Sequence, residues 1–120
     1  MTTDLKALAD ELEAQSEISQ ASADALAAAL RGRFPDDIVN AMNATSLDQT
    51  DFVLHMLDAC LHGWVIHMTG RARDRNGAWN VSLRKSDSRG DDAFLGHAKG
   101  PHLPNVLTSA MLRTLVHITD

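Results

Sequence analysis

The chain is predicted to adopt an α+β fold. The expected arrangement is a three-stranded antiparallel β-meander packed between helices, in the order α-α-α-α-β-β-β-α, an α/β/α sandwich-like layout. Three observations predict it. Apolar residues recur at helical spacing through the first sixty residues and again after residue 102. Between those regions, 64–69, 78–84 and 93–99 alternate apolar and polar side chains, as half-buried strands do. The links between these strands are long enough for hairpins and too short for parallel crossovers.

A chain of 120 residues is most simply one domain, 1–120, with a helical arm over 1–45 and a helix-βββ-helix unit over 46–120. It contains no Tyr and only 4% aromatic residues, so Leu, Ala, Val, Ile and Met must fill its core. The first helix spans Asp4 to about Gln15, with Leu5, Leu8, Ala9 and Leu12 on one face. A second starts at Ser22 as N-cap and runs to Leu30, its stripe made of Ala25, Leu26, Ala29 and Leu30, with Gly32 as C-cap and Phe34 packing back onto the pair. Pro35 opens a short third helix, with Asp36 and Asp37 in its first turn and Ile38, Val39 and Met42 facing inward.

Ser46-Leu47-Asp48-Gln49 reads as a capping box for a fourth helix. That helix carries two adjoining stripes, Phe52, Met56, Cys60 and Val53, Leu57, Leu61, a width that implies deep burial; Gly63 ends it. In the first strand Trp64, Ile66 and Met68 share a face. In the second, Trp79, Val81 and Leu83 do, after an Asn76-Gly77 turn. The third strand, 93–99, is softened by Gly96. Pro104 then begins a terminal helix whose stripe of Leu103, Leu107, Ala110, Met111, Leu115 and Ile118 is expected to cover the inner face of the sheet.

Charge and composition narrow the function. The net charge is −5, divided as −8 over residues 1–60 and +3 over 61–120, which argues against a strong nucleic-acid binder while keeping a weaker one open in the second half. One cysteine, Cys60, rules out an intrachain disulfide and a Cys-cluster zinc site. The N-terminus shows neither a basic n-region nor an apolar h-region, and no apolar run approaches the ~20 residues of a membrane span. The expectation is a soluble protein, cytoplasmic or virion-associated, with no membrane partner.

The stretch Ser46-Leu47-Asp48, Gly63-Trp64, Gly100-Pro101, Pro104 and Ala110-x-Leu112-Arg113 resembles the phage ABA-sandwich family, small proteins of phage and proteobacterial genomes. Leu8, Leu12-Glu13-Ala14 and Asp24 to Leu30 look like that family's first and second helices. The sequence departs from its pattern at Leu61-His62 and at His102-Leu103. The resemblance implies a helix ending in Gly-Trp, a small sheet and a final apolar helix. It also implies phage or prophage ancestry, and it carries no activity.

Side chains that could carry chemistry are few. Six histidines, His55, His62, His67, His97, His102 and His117, show no i, i+4 pair of the zinc-protease kind, so surface or rim positions are expected and no metal is assigned. Cys60 sits on an apolar stripe beside Asp51 and Asp58, the setting of a small buried hydrophobe rather than a reactive thiolate. Trp64 and Trp79 are read as a cross-strand core pair, with a ligand cradle as the alternative. Nucleophile elbows, phosphate-binding loops and dinucleotide fingerprints are missing, so no catalytic residue and no cofactor is assigned. The candidate contact residues are Arg71, Arg73, Arg75, Arg84, Lys85 and Arg89, six of the eleven basic side chains, on the hairpin connections and the end of the second strand. Hairpin tips can reach phosphates, and the helix-strand-strand-strand-helix order is that of a double-stranded-RNA-binding domain. Asp74, Asp87, Asp91 and Asp92 dilute the cluster, which favours a solvated surface.

The leading expectation is therefore a non-enzymatic phage- or prophage-type accessory protein acting through protein contacts, with a homodimer or a phage protein as partner. A nucleic-acid-binding module using the Arg71–Arg89 surface is the alternative.

Overall fold

The computed structural model describes residues 5–15, 18–31, 35–61, 64–70, 79–84 and 94–119. Helix α1 (Leu5–Ala14) buries Leu5, Leu8, Ala9 and Leu12, the predicted stripe. Helix α2 (Gln20–Leu30) begins earlier than its sequence implies. Ser19, not Ser22, is the N-cap, and its hydroxyl accepts the Ser22 amide at 3.1 Å. Ser22 lies inside the helix, buried, and donates its own hydroxyl to Glu11 at 3.3 Å. The buried stripe is accordingly turned toward Ala23, Leu26 and Leu30, while Ala25 and Ala29 are half-buried. Helix α3 (Asp36–Ala41) carries its two aspartates in the first turn, with Ile38, Val39 and the following Met42 buried. Gly32 and Phe34 lie outside the described residues.

The expected capping box is not formed. Ser46–Asp48 makes a separate 3-10 turn, η1, and Ser46 is occupied by the chain before it. Its hydroxyl donates to the Ala41 carbonyl at 2.7 Å and accepts the Asn43 amide at 3.0 Å. Helix α4 (Thr50–Cys60) then starts from an extended Gln49 without a side-chain cap. It buries Val53, Met56 and Leu57, with Phe52 and Leu54 half-buried, and Leu61 closes its inner face. The Cys60 side chain and Gly63 lie outside the described residues.

Strands β1 (Val65–Thr69), β2 (Trp79–Arg84) and β3 (Phe94–Gly100) form the antiparallel meander, in the order β1-β2-β3. Ile66 pairs with Leu83 and Met68 with Val81, and across the other side of β2 Val81 pairs with Ala98 and Leu83 with Gly96. Cross-strand partners point to one face, so these residues define the inner side. The outer side carries Val65, His67 and Thr69 on β1, Asn80, Ser82 and Arg84 on β2, and His97 and Lys99 on β3.

Helix α5 (Leu103–Thr119) lies under β2 and β3, with α1 packed against both α5 and β3 and α4 along α5. The α+β class and the meander are as expected, and α1 packs on both α5 and the β3 edge. Helix α5 is the central element, in contact with the sheet, α1 and α4. The helical arm is thus part of the core.

Every residue from Pro104 to Leu112 is buried, including Asn105, Thr108 and Ser109. A helix buried all round has to satisfy its polar side chains locally. Thr108 and Thr114 donate to the carbonyls one turn back, Pro104 and Ala110, both at 2.9 Å. Ser109 donates to the Ala9 carbonyl of α1 at 2.7 Å. The approach to β3 depends on Gly96, where a Cβ would collide with Thr114 Oγ1 and with the Ala110 carbonyl.

Candidate interaction surface

The two edges of the sheet are treated differently. On the β3 edge the Lys99 amide donates to Glu13 Oε2 at 2.9 Å, and the His97 carbonyl accepts Arg113 Nη1 at 2.7 Å. Arg113 also holds Glu13 with a two-pronged contact, Nη1 to Oε2 at 2.6 Å and Nη2 to Oε1 at 3.1 Å, and Nη2 reaches Asp10 at 2.6 Å. Residues from α1 and α5 thereby take up two outward backbone groups of β3, one way that sheets avoid pairing with a neighbour. The electrostatics follow from this geometry. The Arg113 hydrogen bond first, then the Lys99 amide and the Arg113 and His97 charges, hold the Glu13 carboxyl below the usual value of 4.5 against an opposing desolvation effect. Arg113 is raised, first by its hydrogen bond to Glu13, so the pair is charged at neutral pH.

The β1 edge has a different character. Because His97 and Lys99 turn their backbone groups outward, Gly96, Ala98 and Gly100 face β2, and antiparallel alternation then turns Asn80 and Ser82 toward β1. Their partners Thr69 and His67 face inward in the ladder, leaving the N–H and C=O of Ile66 and Met68 on the free edge. Among the described residues no side chain or strand takes these groups. Helix α5 covers β2 and β3 and stops short of β1, so Met68 is the one large apolar side chain described as exposed, at 37%. Near it, between the end of α4 and β1, is a cleft of about 80 Å³ lined by Leu54, Leu57, Leu61, Trp64, Ile66 and Leu83, with Asp58 as its one charged lining residue. Its volume is well under the ~300–1,000 Å³ of small-molecule sites. It is suited to one inserted side chain.

The outer face of the sheet is a second surface. His67, Ser82 and His97 form a row across the three strands, with Ser82 Oγ and His97 Nδ1 2.9 Å apart. This Ser–His contact escaped sequence reasoning because the residues are fifteen apart and only strand register joins them. The distance is one a base and a nucleophile use; the cleft lies on the opposite face of the sheet, and among the described residues none encloses this pair. Arg84 and Lys99 lie on the same outer face, and no described outward strand residue is acidic.

Of the six predicted contact residues, Arg84 is described, half-buried on the outer face; Arg71, Arg73, Arg75, Lys85 and Arg89 lie outside the described residues. The tryptophans do not form the expected pair. Trp64 precedes the Val65–Arg84 end of β1, while Trp79 starts β2 at the other end, against Gly70. Trp79 lies opposite Gly70, six residues or ~20 Å of strand from Trp64. Each is half-buried against the core by itself, so neither a ring pair nor a cradle exists. His55, His67 and His97 are exposed, and His102 pairs with Asp48 at 2.6 Å, tying η1 to the start of α5. No group of three metal-ligating side chains occurs among the described residues, and no described helix is long and apolar enough to cross a membrane. His62 and the His117 side chain lie outside them.

Comparisons with family models, with characterised proteins and with solved structures found no match.

Proposed function

We propose that this chain is a non-enzymatic accessory protein of phage or prophage type that works through protein contacts at the β1 side of its sheet. The observation that supports the reading is the uneven covering of the sheet. The β3 edge is held by Glu13 and Arg113, whereas the β1 edge, among the described residues, combines open backbone groups with exposed Met68 and a largely leucine-lined cleft. Open edges recruit strands, and adjoining apolar pockets select the side chains that come with them. The test compares the wild-type chain with Met68→Lys, both tagged, at equal concentration. The expected result is that one protein, whether another gene product or an untagged copy of this chain, is recovered in stoichiometric amount with the wild type and lost with the variant. Equal recovery by both would refute the assignment of this surface.

A second reading, nucleic-acid binding, is favoured by the outer face, where strand register sets Arg84 and Lys99 on one side of the sheet although the whole chain carries −5. It predicts retention on a nucleic-acid column with a steep salt dependence that flattens in Arg84→Gln/Lys99→Gln. Flow-through at ~50 mM salt rejects it.

A further inference from the structure

We infer that the occupant of the β1 edge is a second copy of this chain, paired antiparallel about His67 so that two three-stranded sheets join into one of six strands. This rests on the protein-contact reading and names its partner.

The register follows from which backbone groups are open. On β1 the outward N–H and C=O belong to Ile66 and Met68. A twofold axis at His67 places Ile66 opposite Met68 of the partner, and Met68 opposite the partner's Ile66. Each such pair exchanges two hydrogen bonds, so all eight outward groups of the two edges are satisfied. A register centred on Ile66 or Met68 leaves an outward group of each strand beyond its partner's open pair.

The side chains favour the same arrangement. Ile66 and Met68 both point to the inner face, the side that holds the α4–β1 cleft. With the axis at His67, Met68 of one copy lies beside Ile66 of the other, at the mouth of the cleft that Ile66, Trp64, Leu57 and Leu61 line. The chain thus carries an exposed apolar side chain and, two residues away, a cleft of about 80 Å³. A single chain cannot bring them together across its own edge; a twofold partner can, twice. Neither Ile66 nor Met68 is charged, and no Lys or Pro interrupts β1, whereas natural edges that must remain single usually carry one. An edge of five residues is short, so the contact falls at the small end of stable interfaces, in the micromolar range.

The experiment is site-directed disulfide trapping combined with light scattering, in a Cys60→Ala background. In this register His67 faces His67 of the partner as a non-hydrogen-bonded pair, with Cα atoms ~4.5 Å apart, within reach of a disulfide. Thr69 faces Val65 of the partner, and two Thr69 positions lie ~13 Å apart along the strand, out of reach. His67→Cys is expected to form a covalent dimer under mild oxidation and Thr69→Cys is not. An equal mixture of Val65→Cys and Thr69→Cys chains should yield only the mixed dimer, which provides an independent arm if His67→Cys does not fold. Without oxidation, the scattering mass should rise from 13.0 kDa toward twice that value as concentration increases from about 1 to 100 µM. Met68→Lys should weaken the association at least tenfold. A monomer at all these concentrations overturns the inference. So does a dimer that links at 67 and 69 alike, or at neither. If the chain stays monomeric yet still captures a different protein in a Met68-dependent way, the broader reading stands and this one falls; if both experiments fail, both fall.

Discussion

Replacing Glu13 by Ala removes the acceptor at the centre of the β3-edge clamp. The carboxylate receives three hydrogen bonds, two from Arg113 and one from the Lys99 amide, and its side chain is 28% exposed. A buried charge stripped of its partner costs ~3–5 kcal/mol. Here the loss is smaller, for two reasons. Arg113 keeps Asp10 at 2.6 Å and the His97 carbonyl at 2.7 Å, so its charge is not orphaned, and the Lys99 amide lies on an edge that water can reach. Discounted for that exposure, the expected loss is ~1–2 kcal/mol. At about 2.1 cal/mol/K per residue, a chain of this length loses ~4 °C of Tm per kcal/mol, or about 4–8 °C in all.

The pH dependence sets the sign. The Glu13 pKa is lower in the folded than in the unfolded chain, so its contribution is complete above the unfolded value, near 4.5, and disappears as pH falls through the folded value. Thermal unfolding of both chains at pH 7 and at pH 3, with hydrogen exchange at Lys99, measures this. The gap should be present at pH 7 and narrow at pH 3, with faster Lys99 exchange in the variant. A gap of equal size at both pH values would show that packing, not charge, holds the clamp, and would refute the argument.

Other outcomes follow from the same packing. Gly96→Ala should destabilise by about 3 kcal/mol, the upper end for overpacking, because a Cβ would meet backbone as well as the Thr114 hydroxyl. Adding Thr114→Ala should therefore rescue it only in part, as read by denaturant titration. Ser109→Ala, which leaves the buried Ala9 carbonyl without its hydroxyl donor, should cost ~1–2 kcal/mol in the same assay. His102→Ala removes a partly exposed pair with Asp48 and should cost no more than ~1 kcal/mol, with the loss shrinking as salt rises.

Local pattern determined much of this protein. The i, i+3, i+4 spacing of Leu5, Leu8, Ala9 and Leu12 is a property of one helix face, and it is legible because the other face stays exposed. Alternation in 64–69 and 78–84 gave the strands, and short links gave their antiparallel order. Where two signals compete within a few residues, local reading chose wrongly. Ser19 rather than Ser22 caps α2, and Ser46 was claimed by the turn behind it instead of the helix ahead. The central position of α5 left one trace, since Arg113 is the only Lys, Arg, Asp or Glu between Lys99 and Asp120. Hydrophobic periodicity alone does not carry that trace, because an apolar stripe looks the same whether the opposite side of the helix is wet or buried.

The candidate site was less legible, and for a different physical reason. Its features depend on which elements come together. The closed β3 edge needs Glu13 and Arg113, a hundred residues apart, on one side of the sheet. Met68 is left exposed where α5 packs under β2 and β3, and the Ser82–His97 contact depends on strand register alone. Sequence determines which face a side chain takes within its own element. Only the tertiary structure decided which edge was covered, because covering is a relation between elements and the periodicity within one of them is unchanged by it.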